Sequence, residues 1–327
     1  MEPNLLGLAL QTGVVSLPRG LLATGDQGPR LDCSRMRRGR LEQRLTGQRG
    51  GWKSRSMPEV PVNGVRLYYE EHGQGDPILC IHGTSSSAMV WRPAAIDELA
   101  TLGRVICYDR RGCTRSERPA PYETSVAQHA EDAMGLLQAL DAVPAVLIGR
   151  SYGGETAVEL ALRHPRTVRA LVLLEAALLT LDKEAMVWAG ELRAAVEAAA
   201  ARDVSSVAET FLRRVLSDEQ WESFRDPVRQ MFVDNSPAIL AEFRGPWLEA
   251  TEADLARIHV PTLLVAGEAS PPAFRRVTER MAASIPDSRT VLVGGGHFID
   301  PGEPDVLKFV DEILGQRARL PPLPKEW

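Results

Sequence analysis

The chain has 327 residues, 44% hydrophobic and 25% charged, a balance that fits one large globular domain or two smaller ones with a core that closes without staples. A net charge of −5 leaves no basic footprint for nucleic acid, and no run approaches the about 18 apolar residues of a membrane span. Cys33, Cys80, Cys107 and Cys113 lack metal-site spacing, and two of them sit in apolar strand-like runs, so reduced thiols in a cytoplasmic protein are the expectation.

Residues 1–56 differ in character from the rest of the chain. Leu5–Leu10 is apolar but has no Lys or Arg before it, which makes a poor signal peptide. Ser34–Arg55 is basic and Gly-rich, with Arg35, Arg37, Arg38 and Arg40 in one run, a composition that predicts disorder. Met57 opens a stretch that reads like the start of a compact domain, so 1–56 is expected to be an extension.

Val60–Val62 and Val65–His72 alternate around Asn63-Gly64, the signature of a two-residue hairpin. Pro77–Ile81 is a continuous apolar run, fit for a buried third strand, and it leads into the loop His82-Gly83-Thr84-Ser85-Ser86-Ser87. Pro93–Leu102 reads as a helix. Arg104–Tyr108 is a buried fourth strand that ends in Asp109-Arg110-Arg111-Gly112. Ser125–Leu140 has helical spacing (Val126, Ala130, Ala133, Leu136, Leu137, Leu140). A fifth strand from Ala145 ends at Gly149, and a helix-compatible run, Glu155–His164, lies beyond the turn. Val168–Leu174 is a sixth strand ending at Glu175. This alternation predicts an α/β protein with a parallel sheet covered on both faces.

The alternation then stops. Leu178–Ala250 holds no good strand, is Ala-, Glu- and Arg-rich with helical periodicity, and carries Trp188, Phe211, Trp221, Phe224, Phe232 and Trp247. An inserted helical lid is the expectation, with a share of the aromatics lining an apolar substrate pocket. The sheet resumes at Val260–Ala266, followed by Gly267-Glu268-Ala269-Ser270-Pro271 and a helix over Ala273–Ile285. Thr290–Val293 is the last strand, and Gly294-Gly295-Gly296-His297-Phe298 comes after it. Pro304–Leu314 reads as a helix, and Arg317–Trp327 as a Pro-rich tail. The expected division is an extension over 1–56, a core over 57–177 and 251–327, and a lid over 178–250.

Gly149-Arg150-Ser151-Tyr152-Gly153-Gly154 sits between a strand and a helix, the context of a nucleophile elbow. Gly149 and Gly153 allow strand and helix to approach closely, and Ser151 projects its hydroxyl above the sheet edge. The helix N-terminus offers free N–H groups to a developing oxyanion.

Together with His82-Gly83 after the third strand, Asp109-Arg110-Arg111-Gly112 after the fourth and Gly296-His297-Phe298 after the last, this resembles the α/β-hydrolase superfamily over roughly residues 60–317. The resemblance implies a mostly parallel eight-stranded sheet flanked by helices. It assigns Ser151 as nucleophile, His297 as base, and the backbone N–H groups of Tyr152 and Thr84 as the oxyanion hole. His82 then has a structural part in the oxyanion loop, and the Asp109–Gly112 turn ties loops together. His72, His129, His164 and His259 have no evident partner. Ser151 argues against the dehalogenases and epoxide hydrolases of this fold, which place Asp at the elbow.

The acid departs from the common pattern. Many relatives carry Asp where this chain has Ser270. Glu175 is the preferred acid and Glu268 the alternative, while Asp300 lies too close in sequence to His297. The implied function is a cofactor-free serine hydrolase cleaving an ester or related small acyl substrate with an apolar part. Perhydrolysis or carbon–carbon bond hydrolysis on the same triad is the second possibility. A non-catalytic ligand-binding member is the third, kept open by Ser270. No metal, no nucleic acid and no membrane is expected as a partner, and the oligomeric state is open.

Overall fold

Asn63 and Gly64 both adopt positive φ, 46° and 79°, as a two-residue hairpin turn requires. They join β1 (Glu59–Val62) to β2 (Val65–His72), with Val62 opposite Val65. The computed structural model describes residues 58–317. The expectations for the 1–56 extension, its Arg cluster, Cys33 and the tail past Arg317 lie outside the described residues.

β2 pairs antiparallel with β4 (Arg104–Tyr108), and from there the sheet is parallel. The order is β1-β2-β4-β3-β5-β6-β7-β8, with β3 at Pro77–Ile81, β5 at Ala145–Arg150, β6 at Val168–Leu174, β7 at Thr262–Gly267 and β8 at Ser288–Val293. β5 is buried along its whole length, as a central parallel strand covered on both faces must be. The last strand starts two residues before the expected Thr290.

Helices close both faces. On one side α2 (Val126–Ala139), α3 (Tyr152–Arg163) and α10 (Pro272–Ser284) pack Leu136, Val158 and Val277 against Leu79, Leu147 and Leu171. On the other, α1 (Pro93–Ala100) and α11 (Pro304–Arg317) pack Leu99 and Phe309 against Ile78, Val146 and Val172. Ser125 caps α2 by accepting from Gln128 N. α3 begins at Tyr152, three residues before the expected Glu155, because the elbow turns straight into it.

Between β6 and β7 the chain forms α4 (Lys183–Arg202), α5 (Ser206–Val215), α6 (Asp218–Ser223), α7 (Asp226–Asp234) and α8 (Ser236–Arg244), then the short α9 (Glu252–Leu255). Phe211, Trp221, Phe232 and Ile239 form this insertion's own apolar cluster. Among the described residues no helix is long and apolar enough to cross a membrane. Cys80, Cys107 and Cys113 are free and buried.

The parallel strands all point one way, so the segments after β3, β5, β6, β7 and β8 share one edge. That edge is where open α/β sheets bind ligands.

Candidate active site

Ser151 sits between β5 and α3 with φ 54° and ψ −120°, a conformation that side chains rarely adopt. The turn is held from all sides. Ser151 N donates to Leu174 O, and Ser151 O accepts from the N–H groups of Gly154, Glu155 and Ala177. A methyl group at Gly153 would lie 2.1 Å from the carbonyl oxygen of Ile81, so only glycine lets α3 come this close to β3.

Glu175, one residue past β6, is fully buried and also has positive φ, 49°. Its Oε1 accepts from Gly267 N at 2.7 Å, and its Oε2 accepts from Ser270 Oγ at 2.8 Å and from His297 Nδ1 at 2.6 Å. Three donors on a buried carboxylate satisfy it and fix it in place. The ring of His297 is held again by Phe274 of α10, stacked with centroids 3.8 Å apart. Its other nitrogen, Nε2, is buried and, among the described residues, makes no hydrogen bond with Ser151 Oγ or any other group. Both residues line one small cavity, and such serine–histidine bonds commonly tighten only when substrate is bound.

The structure therefore brings Ser151, His297, Glu175, Tyr152 and Thr84 to one edge. Glu268 is not among them: it is exposed and makes no hydrogen bond to His297, which corrects its place as an alternative acid. It lies on the solvent side of the turn, while its neighbour Ser270 takes the inner position. Asp300 pairs with Arg92 and accepts from Gly302 N.

The loop after β3 is fixed from three directions. His82 donates from Nδ1 to Gly83 O and accepts at Nε2 from Arg110 N, a neutral ring whose pKa burial drives well below its usual value. Arg110, fully buried, donates to His82 O, Gly83 O and Glu242 Oε1. Burial opposes its charge, but Glu242 of α8 more than offsets that and raises its pKa. Asn235, fully buried between α7 and α8, donates from Nδ2 to Ser85 O and Ser86 O. Arg111 forms a two-pronged pair with Asp132, so both arginines of the turn tie loops together. Of the other histidines, His72 lies near Glu70, His129 bonds Thr124 and His164 bonds Glu131.

A cavity opens above Ser151, enclosing about 600 Å³ of space not filled by protein, its mouth included. Trp188, Phe211 and Trp247 line it, with Thr84 and Tyr152 at the end near the nucleophile. Phe243 and Phe274 line it too, outside the aromatics singled out in the sequence. Phe232 lines the smaller cavity, and the rings of Trp221 and Phe224 lie tilted against it within the insertion. Among the described residues no group of His, Cys, Asp and Glu side chains is placed to hold a metal.

Arg150, beside the nucleophile, was also not singled out by sequence. Its Nη2 donates to Ile299 O at 2.6 Å, and its guanidinium lies 4.3 Å from the ring centres of both Trp91 and Phe298. Burial lowers its pKa to about 10. It ties the elbow to the loop that carries His297.

The profile of the α/β hydrolase fold matches residues 76–300. The chain belongs to the α/β-hydrolase family. It is similar to a solved structure described as Est816, an N-acyl homoserine lactone degrading enzyme, at 27% identity and a TM-score of 0.61, covering 79% of this chain and 99% of that one. It is similar to a thermophilic esterase from Thermogutta terrifontis at 26% identity and a TM-score of 0.61, covering 80% and 97%. A 2-hydroxymuconate semialdehyde hydrolase of Pseudomonas sp. (strain CF600) is 38% identical over 121 residues, 36% of this chain and 43% of that protein, so the match spans under half of that relative. Within its family, this hydrolase stands with enzymes of esterase-like kind.

Proposed function

We propose that this hydrolase cleaves an ester or related small acyl compound through Ser151, His297 and Glu175. The observation that carries the reading is the buried His297 ring, bound at Nδ1 to Glu175 and free at Nε2, lining one cavity with Ser151. A serine hydroxyl attacks a carbonyl only if a base removes its proton. Nε2 takes that proton while Oγ bonds to the carbonyl carbon, and Glu175 steadies the imidazolium. The N–H groups of Tyr152 and Thr84 hold the oxyanion. The imidazolium then protonates the departing oxygen, and a water activated by Nε2 releases the acid from Ser151.

The helices after β6 would act as a lid, and the aromatic lining favours a substrate with an apolar part. A ligand-binding role without turnover rested on Ser270 in place of an acid. That argument loses force because Ser270 supports Glu175. Carbon–carbon hydrolysis or perhydrolysis on the same residues is distinguished by a substrate panel.

The test is a fluorophosphonate probe followed by mass spectrometry. The expected result is one adduct, on Ser151, and none on Ser151→Ala. No adduct on folded wild type would overturn the reading.

A further inference from the structure

Two carboxyl groups line the same cavity as Ser151, and the mechanism uses neither. Glu155 lies one turn along α3 from the nucleophile, its N–H bonded to Ser151 O. Glu155 is 5% exposed, and among the described residues the one hydrogen bond to its side chain is a long one, 3.3 Å from Leu248 N. Glu242 reaches the cavity from α8. Its Oε1 is held by Arg110 Nη2 at 2.7 Å, but its Oε2 is buried and has no partner. The rest of the lining is mostly apolar, so a buried polar atom left unpaired there is costly. It is the kind of cost that a substrate group would relieve.

Charge narrows the choice. Arg110 already balances Glu242, so the pair is neutral. Burial raises the pKa of Glu155 to about 8, so near neutral pH it keeps its proton and can donate it. The cavity then offers one acceptor, on Glu242, and one donor, on Glu155, with no net charge. A cationic group would be buried uncompensated, and a plain alkyl group would leave both sites unmet.

We propose that Glu242 and Glu155 form a specificity subsite for an uncharged group with one hydrogen-bond donor and one acceptor, a secondary amide or a hydroxyl, a few bonds from the scissile carbonyl. The donor meets Glu242 Oε2 and the acceptor meets Glu155. This rests on the acyl-hydrolase reading and names the substrate class of that site.

The experiment compares p-nitrophenyl N-acetyl-β-alaninate, its N-methyl amide analogue and p-nitrophenyl hexanoate. A site built to bond a polar group discriminates strongly against analogues lacking it, so the amide should lead both others by at least about tenfold in kcat/KM. Glu155→Leu should reduce that lead to under about threefold, while Glu155→Gln, which still donates and accepts, should keep most of it. Equal rates on the amide and the hexanoate in wild type, or an unchanged lead in Glu155→Leu, would overturn the subsite. The N-methyl comparison needs no variant, so it decides even if Glu155→Leu does not fold. If none of the esters turns over, binding decides the subsite, and the fluorophosphonate probe decides the acyl-hydrolase reading separately. Trp188 and Trp247 line the cavity, so quenching of tryptophan fluorescence by N-butylacetamide but not by its N-methyl form upholds it. Equal quenching by both, or none, overturns it.

Discussion

Ser270 Oγ donates to Glu175 Oε2 at 2.8 Å, the same oxygen that holds His297 Nδ1. Ser270 of the segment after β7 thus supports the carboxylate that the proposed function assigns as the acid, at the end of the neighbouring strand. β6 and β7 pair directly, which puts the two residues side by side across 95 positions of sequence.

The acid should therefore be movable. Glu175→Gln should lower kcat by about 10³–10⁴-fold, since the imidazolium loses its carboxylate. In Glu175→Ala, the added change Ser270→Asp should restore at least about tenfold of the lost rate. Steady-state kinetics on one ester checks both, and a double variant no better than Glu175→Ala would refute the shared geometry.

Asn235 should matter for rate as well as stability. Asn235→Ala removes its bonds to Ser85 O and Ser86 O and should cost about 2 kcal/mol and about ten- to a hundredfold in kcat, as the oxyanion loop loosens. Asn235→Asp keeps the size but cannot donate, so it should be as damaging. A harmless Asn235→Asp in urea melts and kinetics would show that the side chain only fills space.

Glu155 should make stability fall with pH. Its pKa, raised to about 8 by burial, then by Glu242, with Arg110 and the Leu248 N–H opposing, lies above the unfolded value of about 4.3. The folded state thus holds the extra proton between those values, and its stability declines as pH rises through that window. Urea denaturation at pH 5 and pH 8 should show wild type losing up to a few kcal/mol relative to Glu155→Gln. Parallel behaviour of the two proteins would sink the assignment.

The Arg110–Glu242 pair should obey the rule for buried ions. Arg110→Met alone should cost about 3–5 kcal/mol by stranding Glu242, and adding Glu242→Met should recover much of that loss. A thermal-melt double-mutant cycle measures it, and strictly additive losses would mean that the two residues are not coupled.

The succession of strands and helices, and the placing of Ser151 and His297 after strand ends, were legible because they depend on local patterns: an apolar run, a tight glycine turn, a residue after a strand end. Glu175 was legible as a strand-end carboxylate, but its partners were not. Ser270, Phe274 and Asn235 act across tens to hundreds of residues, through the adjacency of strands and the packing of α10 and the insertion. Helical periodicity marked Leu178–Ala250 as helical, but it carries no information on which of Trp188, Phe211, Trp221 and Phe232 meet another helix and which meet empty space. Glu155 read as an ordinary helix residue, since nothing local distinguishes a buried glutamate one turn from a nucleophile from a solvated one.

Asn235 lies between two helices of the insertion, yet it holds the loop after β3, the loop proposed above to supply one oxyanion donor. Any swing that lifts the α7–α8 junction must break its bonds to Ser85, Ser86 and Thr114 together. The insertion and the loop after β3 are thus joined through one side chain. On the reading proposed above, any displacement of that junction would loosen the Ser85–Ser86 loop and lower the rate with it.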